Sequence, residues 1–419
     1  MSARLLLSIA LLALMLRLPY VLLYPQIGNS CQDCGFYDEV AGNVASGRGF
    51  VGGFASETFA GPLSYDAPEV GMGPVYPVFL AAVYRTLGRS ATAVAIVQAL
   101  AGAATAVLAA LIGSWFSRRV AVISGVLTAL CPALIAYTGA MLTETMLALL
   151  LVVVVYLVAA VQRRPSVASA AIAGLALGVT TLLRPECVLL VPPAVIAAWW
   201  PGGSRRAVAA LAVAVVAGMT IGVWTVRNYR VFHRPILVTA VGGEALWIST
   251  TGWDEWPTND PELQALVAGL DYLEQNEVLG RVAIENIRRD PWQYAAYCLR
   301  RIPAFWITSH STYIRGLSST YRTYFDRGAY VRLGSKLMLL AISLASIAMA
   351  AAGVWIAWRS GRRWETLIVL TPVVTIAVVH VFLYASPRYQ VPILPLLLVF
   401  AAVSTDRILT HRQMSRDQT

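Results

Sequence analysis

Two stretches of this sequence, Ala91–Trp115 and Ala207–Val226, run for twenty or more residues without one charged side chain. At ~1.5 Å per residue, a helix of that length crosses a hydrocarbon core of ~30 Å. Similar runs recur along the 419 residues, so that 58% of them are hydrophobic and 13% charged. A soluble domain averages about 25% charged residues. A chain this poor in charge cannot coat a water-facing globule, which excludes an ordinary soluble enzyme, a disordered chain and a disulfide-rich secreted module. The expected fold class is an all-α polytopic membrane protein.

The net charge is +10, and Lys336 is the only lysine among the basic residues. The arginines gather in short turns between apolar runs: Arg118–Arg119, Arg163–Arg164, Arg205–Arg206, Arg359 with Arg362 and Arg363, and the tail Arg407, Arg412 and Arg416. That placement follows the positive-inside rule and argues against nucleic acid as a partner. Spans drawn at 5–24, 91–116, 120–138, 144–162, 167–183, 187–200, 207–226, 335–357, 366–385 and 390–406 put every arginine cluster, with Arg4, on one side. The first span carries Arg17 and Pro19 and is followed by no small-residue cleavage pattern, so it is expected to stay uncleaved.

The drawing divides the chain into a membrane core at 1–226 with a first outer loop at 25–90, a second outer segment at 227–333, and C-terminal spans with a cytoplasmic tail at 334–419. Helices are expected outside the membrane at Phe36–Ser46 and Pro74–Leu87, the latter beginning at its proline. Asp260–Arg289 and Trp292–Trp306 read as amphipathic helices. The second is rich in Trp, Tyr and Arg, which suits anchoring at a membrane surface, sugar stacking or a partner surface.

Charged groups near a bilayer are costly and mark function. On this topology Asp33, Asp38, Glu144, Arg184, Glu186, Arg227, Arg388 and Tyr389 share the outer membrane face although they are far apart in sequence. A pocket of carboxylates and arginines suits an anionic, membrane-anchored substrate: guanidinium forks bind phosphate, and a carboxylate can take a proton from an attacking hydroxyl. Each residue alone also has a bland reading, as a snorkelling arginine, a charge at a helix N-terminus or a solvated loop aspartate. P-loop and Rossmann fingerprints are absent from the sequence.

Cys31-x-x-Cys34 brackets Asp33 in an outer loop and points to a bracing disulfide, with two reduced thiols, a redox pair or zinc as alternatives. The four histidines show no metal-ligand spacing, and His380, inside a span, reads as a satisfied core histidine.

The motifs Asp33-x-x-x-Tyr37-x-x-x-Ala41-x-Asn43-x-x-x-Gly47-Arg48-Gly49-Phe50, Pro74-x-Tyr76-Pro77, Thr143-Glu144, Leu183-Arg184-Pro185-Glu186, Trp224-x-x-Arg227-Asn228-Tyr229 and Arg388-Tyr389-x-x-Pro392 follow one another along the chain. Taken in order, they resemble the GT-C integral-membrane glycosyltransferases, in particular the protein O-mannosyltransferase and lipid A aminoarabinose transferase relatives. The resemblance implies a GT-C-like bundle of about ten spans with helices on the outer face. It also implies inverting transfer of a sugar from a polyprenyl-phosphate carrier to an envelope glycan, lipid or protein. The enzyme would be multi-pass in the inner (plasma) membrane, with its site facing outward. Asp33 takes the catalytic position, Asp38 is the fallback and Glu144 matches a second acidic position. Tyr37, Asp38, Tyr76, Arg184, Glu186, Arg227, Asn228, Arg388 and Tyr389 form the implied substrate-binding set, with the three arginines on the carrier phosphate. A divalent cation is left open, with Asp33 and Glu144 the pair that would hold it. The alternative reading is a flippase for a lipid-linked sugar phosphate, which would use the arginines and need no base.

Overall fold

The computed structural model describes residues 1–24, 31–56, 66–251 and 261–416. Parts of both outer segments, and Asp260 at the start of one expected helix, lie outside the described residues. Among those described, helices dominate and strand structure is limited to one isolated bridge between Val51 and Pro68.

In chain order, α1 is Ala3–Leu23, and the first outer segment forms α2 (Gln32–Ala45) and α3 (Val75–Leu87). The central bundle follows as α4 (Ala91–Gly113), α5 (Arg118–Leu130), α6 (Pro132–Thr138), α7 (Glu144–Arg163), α8 (Val167–Leu183), α9 (Val191–Trp199) and α10 (Ser204–Phe232). The second outer segment carries α11 (Gly242–Thr250), α12 (Pro261–Val267), α13 (Tyr272–Arg289), α14 (Pro291–Trp306) and α15 (Tyr321–Asp326). The chain then returns through α16 (Tyr330–Arg359), α17 (Arg363–Phe382) and α18 (Leu394–Arg416). Seven of these helices are long and apolar enough to cross a membrane, and eight with the bent pair α5–α6. Every span drawn from sequence falls on a helix. The expected spans at 167–183 and 187–200 correspond to shorter apolar helices, the second entered through a 3-10 turn at Pro185–Leu190.

Local chemistry sets the boundaries. Ser90, Ser117 and Ser166 cap α4, α5 and α8 by accepting from backbone N–H groups of the first turn. The expected span 120–138 is two helices meeting at 50°, because Pro132 has no N–H to continue the ladder. The carbonyls freed at that break are taken by Arg17, which is 1% exposed and donates to the oxygens of Thr128 (3.2 Å) and Ala129 (3.0 Å). Gly102 makes room for it: a Cβ there would lie 2.6 Å from Arg17 Nε. The expected helix Asp260–Arg289 is also two helices. Gly269 adopts a left-handed φ of 78°, and Asp271 opens α13 with a capping box to Glu274.

The arginine-bearing turns gather at one end of the bundle. Arg163 stacks on Trp115 at 4.4 Å, Arg206 donates to the carbonyls of Gln162 and Trp200, Trp200 packs on Trp364, and Ser117 donates to Asp406. At the other end α2 lies against α3, with Tyr37 edge-on to Tyr76 at 5.0 Å. Glycines seat the helices closely. At Gly174 a Cβ would meet the Val213 carbonyl of α10 at 2.6 Å, a small-residue contact suited to a lipid setting where apolar driving force between helices is weak.

Candidate functional site

Five charged residues from four separate parts of the chain meet opposite the arginine-rich end. Asp33 sits in the first turn of α2 and forms an ion pair of 2.6 Å with Arg388. Arg388 also reaches Glu144 at 3.8 Å, Glu144 pairs with Arg184 at 3.3 Å, and Arg184 reaches Glu186 at 4.0 Å. The result is an alternating row: Asp33, Arg388, Glu144, Arg184, Glu186. At an effective dielectric of about 20, unit charges 4 Å apart attract by about 4 kcal/mol before desolvation is counted. Such a row holds together only because each charge has an opposite neighbour.

The backbone explains the gathering. α8 ends at Leu183, and Pro185 turns the chain into a 3-10 segment, so Arg184 stands in the corner between them. There its Nε donates to Thr143 Oγ1 at 3.0 Å, and the neighbouring Glu144 opens α7. Gly73 fits beneath this corner, where a Cβ would lie 2.2 Å from the Leu182 carbonyl. Arg388 and Tyr389 occupy a second 3-10 turn, Pro387–Ile393, which leads into α18. Gln390 in that turn accepts from His310 at 2.6 Å, and burial pushes the His310 imidazole down to about 4. A neutral His310 therefore anchors the turn that presents Arg388.

Tyr389 forms one wall. Its ring lies parallel to His380 at 4.1 Å, and the guanidinium carbons of Arg184 and Arg388 stand 5.0 and 4.9 Å from its centroid. Arg388 also donates to the Tyr389 hydroxyl at 3.0 Å. His380 reaches Glu186 at 3.8 Å and the Tyr384 carbonyl at 3.0 Å. The expected core histidine is thus buried and partnered, and it also closes the end of the charged row. Its signal in the sequence is weak: a histidine in the last turn of a span, eight residues before Arg388. Tyr37 is buried behind the row, and burial raises its phenol well above the ordinary range. Glu144 is 1% exposed and its Oε2 has no hydrogen-bond partner, an unusual state for a buried carboxylate.

The other expected site residues lie elsewhere. Asp38 is five residues from Asp33, roughly 140° around the helix, and accepts from Tyr84 (2.6 Å) and Arg89 (2.6 Å) on a partly exposed face. Tyr76 is fully buried and donates to Gln98, a packing role. Arg227 stacks on Trp224 and donates to the carbonyls of Glu69 and Phe50, tying down the first outer segment. Asn228 donates to the carbonyls of Ile236 and Val238 and closes the turn after α10. The sequence places these four at the right depth but not on the right side of their helices.

The expected disulfide is not formed. Cys31 and Cys34 are free thiols at the N-terminus of α2; Cys31 Sγ accepts from the Tyr313 hydroxyl at 3.4 Å and Cys34 is buried in the core. The hydrogen bond from Cys34 pulls the Cys31 thiol down to about 7. A shared divalent cation does not fit the pair proposed for it. The Arg388 guanidinium stands between Asp33 and Glu144, and no group of three or more His, Cys, Asp or Glu suited to a metal gathers among the described residues.

Comparison with known proteins gives the chain its relatives in fold. The family described as dolichyl-phosphate-mannose-protein mannosyltransferase matches residues 67–227, a segment that includes Glu144, Arg184 and Glu186 but neither Asp33 nor Arg388. No curated protein sequence matches the chain. Among solved structures, the Archaeoglobus fulgidus oligosaccharyltransferase tethered with an acceptor peptide is 14% identical with a TM-score of 0.56, over 99% of this chain and 50% of that one. The archaeal oligosaccharyltransferase AglB from Archaeoglobus fulgidus, in complex with an inhibitory peptide and a dolichol-phosphate, is 15% identical with a TM-score of 0.55, over 99% and 51%. ArnT from Cupriavidus metallidurans bound to undecaprenyl phosphate gives 15% identity and a TM-score of 0.49, over 97% and 61%. The chain spans about half the length of the oligosaccharyltransferase it matches. Family match and fold together bear out the resemblance to the GT-C membrane glycosyltransferases.

Proposed function

We propose that the protein is an inverting glycosyltransferase that moves a sugar from a polyprenyl-phosphate carrier to an envelope glycan, lipid or protein on the outer side of the inner (plasma) membrane. The observation that carries this reading is the 2.6 Å pair between Asp33 and Arg388 at the head of the charged row. A carboxylate and a guanidinium, each about a fifth exposed, provide the two functions that an inverting transfer from a phosphate needs.

The steps follow from those groups. A carrier phosphate competes with Asp33 for Arg388, since both are anions that a guanidinium fork binds. Its arrival frees the Asp33 carboxylate next to the anomeric carbon. Asp33 accepts the proton of the acceptor hydroxyl as that oxygen bonds to the anomeric carbon, while the bond from carbon to the phosphate oxygen breaks on the opposite face. Arg388 and Arg184 stabilise the charge that grows on the departing polyprenyl phosphate, which needs no acid to leave. Glu144, buried behind the two arginines, pairs with Arg184 and Arg388 and keeps both guanidiniums turned toward the phosphate. Tyr389 holds both guanidiniums against its ring throughout. The likeness to AglB, whose complex contains a dolichol-phosphate, supports a polyprenyl carrier.

The test is a transfer assay with purified protein, a panel of radiolabelled polyprenyl-phosphate sugars and an envelope extract as acceptor. Label should pass into the extract with the wild type and not with Asp33→Asn. Equal transfer by both would move the base to another carboxylate. Carrier binding with no transfer by either would favour the flippase.

A further inference from the structure

A polar concavity lies away from the charged row. It is an open cleft of about 330 Å³ where the end of α11 meets the α13–α14 corner. Its wall carries Thr251, Asn286, Arg289, Gln293, Tyr294 and Tyr297. We propose that this cleft binds the carbohydrate part of the acceptor, a reading that rests on the glycosyltransferase function above.

The chemistry of the wall selects the ligand class. A pyranose presents an apolar C–H face and a rim of hydroxyls, and the wall offers phenol rings beside planar groups that exchange hydrogen bonds in pairs: an amide at Asn286, an amide at Gln293 and the guanidinium of Arg289. The volume falls at the lower end of the ~300–1,000 Å³ typical of ligand pockets. A phosphate would call for net positive charge, but Asp290 offsets Arg289 on the same wall. An apolar peptide anchor would call for a greasy hole, and the wall contains none. The groups are braced: Gln293 Nε2 donates to the Tyr297 hydroxyl at 2.7 Å, Asn286 Nδ2 donates to Thr250 Oγ1 at 3.2 Å, and Asp290 caps α14 through the Gln293 N–H.

Position links the cleft to the chemistry. The Tyr294 hydroxyl donates to the Phe382 carbonyl at the end of α17 at 2.7 Å. Two residues earlier on that helix, about 3 Å along its axis, His380 stacks on Tyr389 and reaches Glu186. A sugar in the cleft therefore lies beyond the His380 end of the charged row, on the shoulder from which an acceptor would approach. Trp292, 84% exposed on α14, places the cleft beside a surface suited to the membrane interface. A free glycan and a lipid headgroup offer the same hydroxyl chemistry.

The test uses full-length protein in lipid nanodiscs without donor. Binding of maltose, cellobiose and α-mannobiose is followed by saturation-transfer NMR, and the same sugars are then offered as alkyl glycosides carried in the bilayer. The proposal expects at least one sugar to bind, with affinity reduced tenfold or more by Tyr297→Ala and by Gln293→Ala, and largely kept by Tyr297→Phe, which reports that the helix is intact. A stronger response from the bilayer-borne glycoside assigns a lipid headgroup; equal responses assign a free glycan. No binding of any sugar in either form, or binding that both alanine variants leave intact, overturns the proposal. Donor cleavage by the wild type is measured separately, so that an inactive protein that still binds sugar in the cleft refutes the transferase reading and not the site.

Discussion

Arg17 and Arg388 are both guanidiniums withdrawn from bulk water, and their partners could hardly differ more. Arg17, inside the first span, donates to the carbonyls of Thr128 and Ala129 at a helix break. Those carbonyls cannot move without unfolding α5 and α6, so nothing can compete for the cation. Arg388 faces the side-chain carboxylates of Asp33 and Glu144 at the open end of the bundle. A carboxylate on a side chain can rotate away when another anion arrives. A buried arginine held by neutral, fixed acceptors therefore supports the fold, and one held by exchangeable anions is poised to act.

Substitutions can break or sharpen that contrast. The largest effect is expected at Asp33→Asn, which keeps shape and removes the base: transfer should fall by about 10²–10⁴-fold, the range of a lost general base, with the melting temperature nearly unchanged. Arg17→Ala should do the reverse. Hydrogen bonds from a charged donor contribute about 1.5–3 kcal/mol each, so a loss on the order of 3 kcal/mol or more should appear in thermal unfolding, while turnover per folded molecule stays close to wild type.

A third effect concerns pH. Burial holds His310 near 4, below the ordinary value of 6.5, so the fold favours its neutral form. The stability this supplies is complete above pH ~6.5 and is lost as pH falls toward 4, to the extent of about 3 kcal/mol at most. Melting curves across that range should show the loss, and His310→Gln should flatten the slope. The smallest effect is expected at Asp38→Asn. Its pair with Arg89 is partly exposed, 56% at the arginine and 27% at the aspartate, and pairs near the surface are worth about 0–1 kcal/mol. Stability and transfer should both stay within a few-fold of wild type, in contrast to Asp33 only five residues away.

Much of this architecture is legible in the sequence because a membrane span is a one-dimensional signal. Twenty apolar residues and an arginine turn announce themselves, and each drawn span falls on a helix. The breaks were harder to see. Pro132 and Gly269 each split an expected helix, since neither residue by itself tells a kink from a stop. The site was legible in depth but not in azimuth. Asp33, Glu144, Arg184, Glu186, Arg388 and Tyr389 share a depth and meet. Arg227, Asn228, Asp38 and Tyr76 share the depth and turn to other partners. Which side of its helix a residue takes depends on packing between helices, and no local pattern encodes that. Cys31-x-x-Cys34 reads as a disulfide from its spacing in an outer loop, whereas here both thiols are free and Tyr313 hydrogen-bonds to the first sulfur.

The central claim is that Asp33 and the carrier phosphate compete for Arg388. The most direct measurement is equilibrium binding of polyprenyl phosphate, without sugar or acceptor, to wild type, Asp33→Asn and Arg388→Ala in nanodiscs. Removing the competing carboxylate should tighten binding several-fold even as transfer falls, and removing the guanidinium should weaken binding tenfold or more. Binding that Asp33→Asn leaves unchanged or weakens, or that Arg388→Ala does not touch, would contradict it.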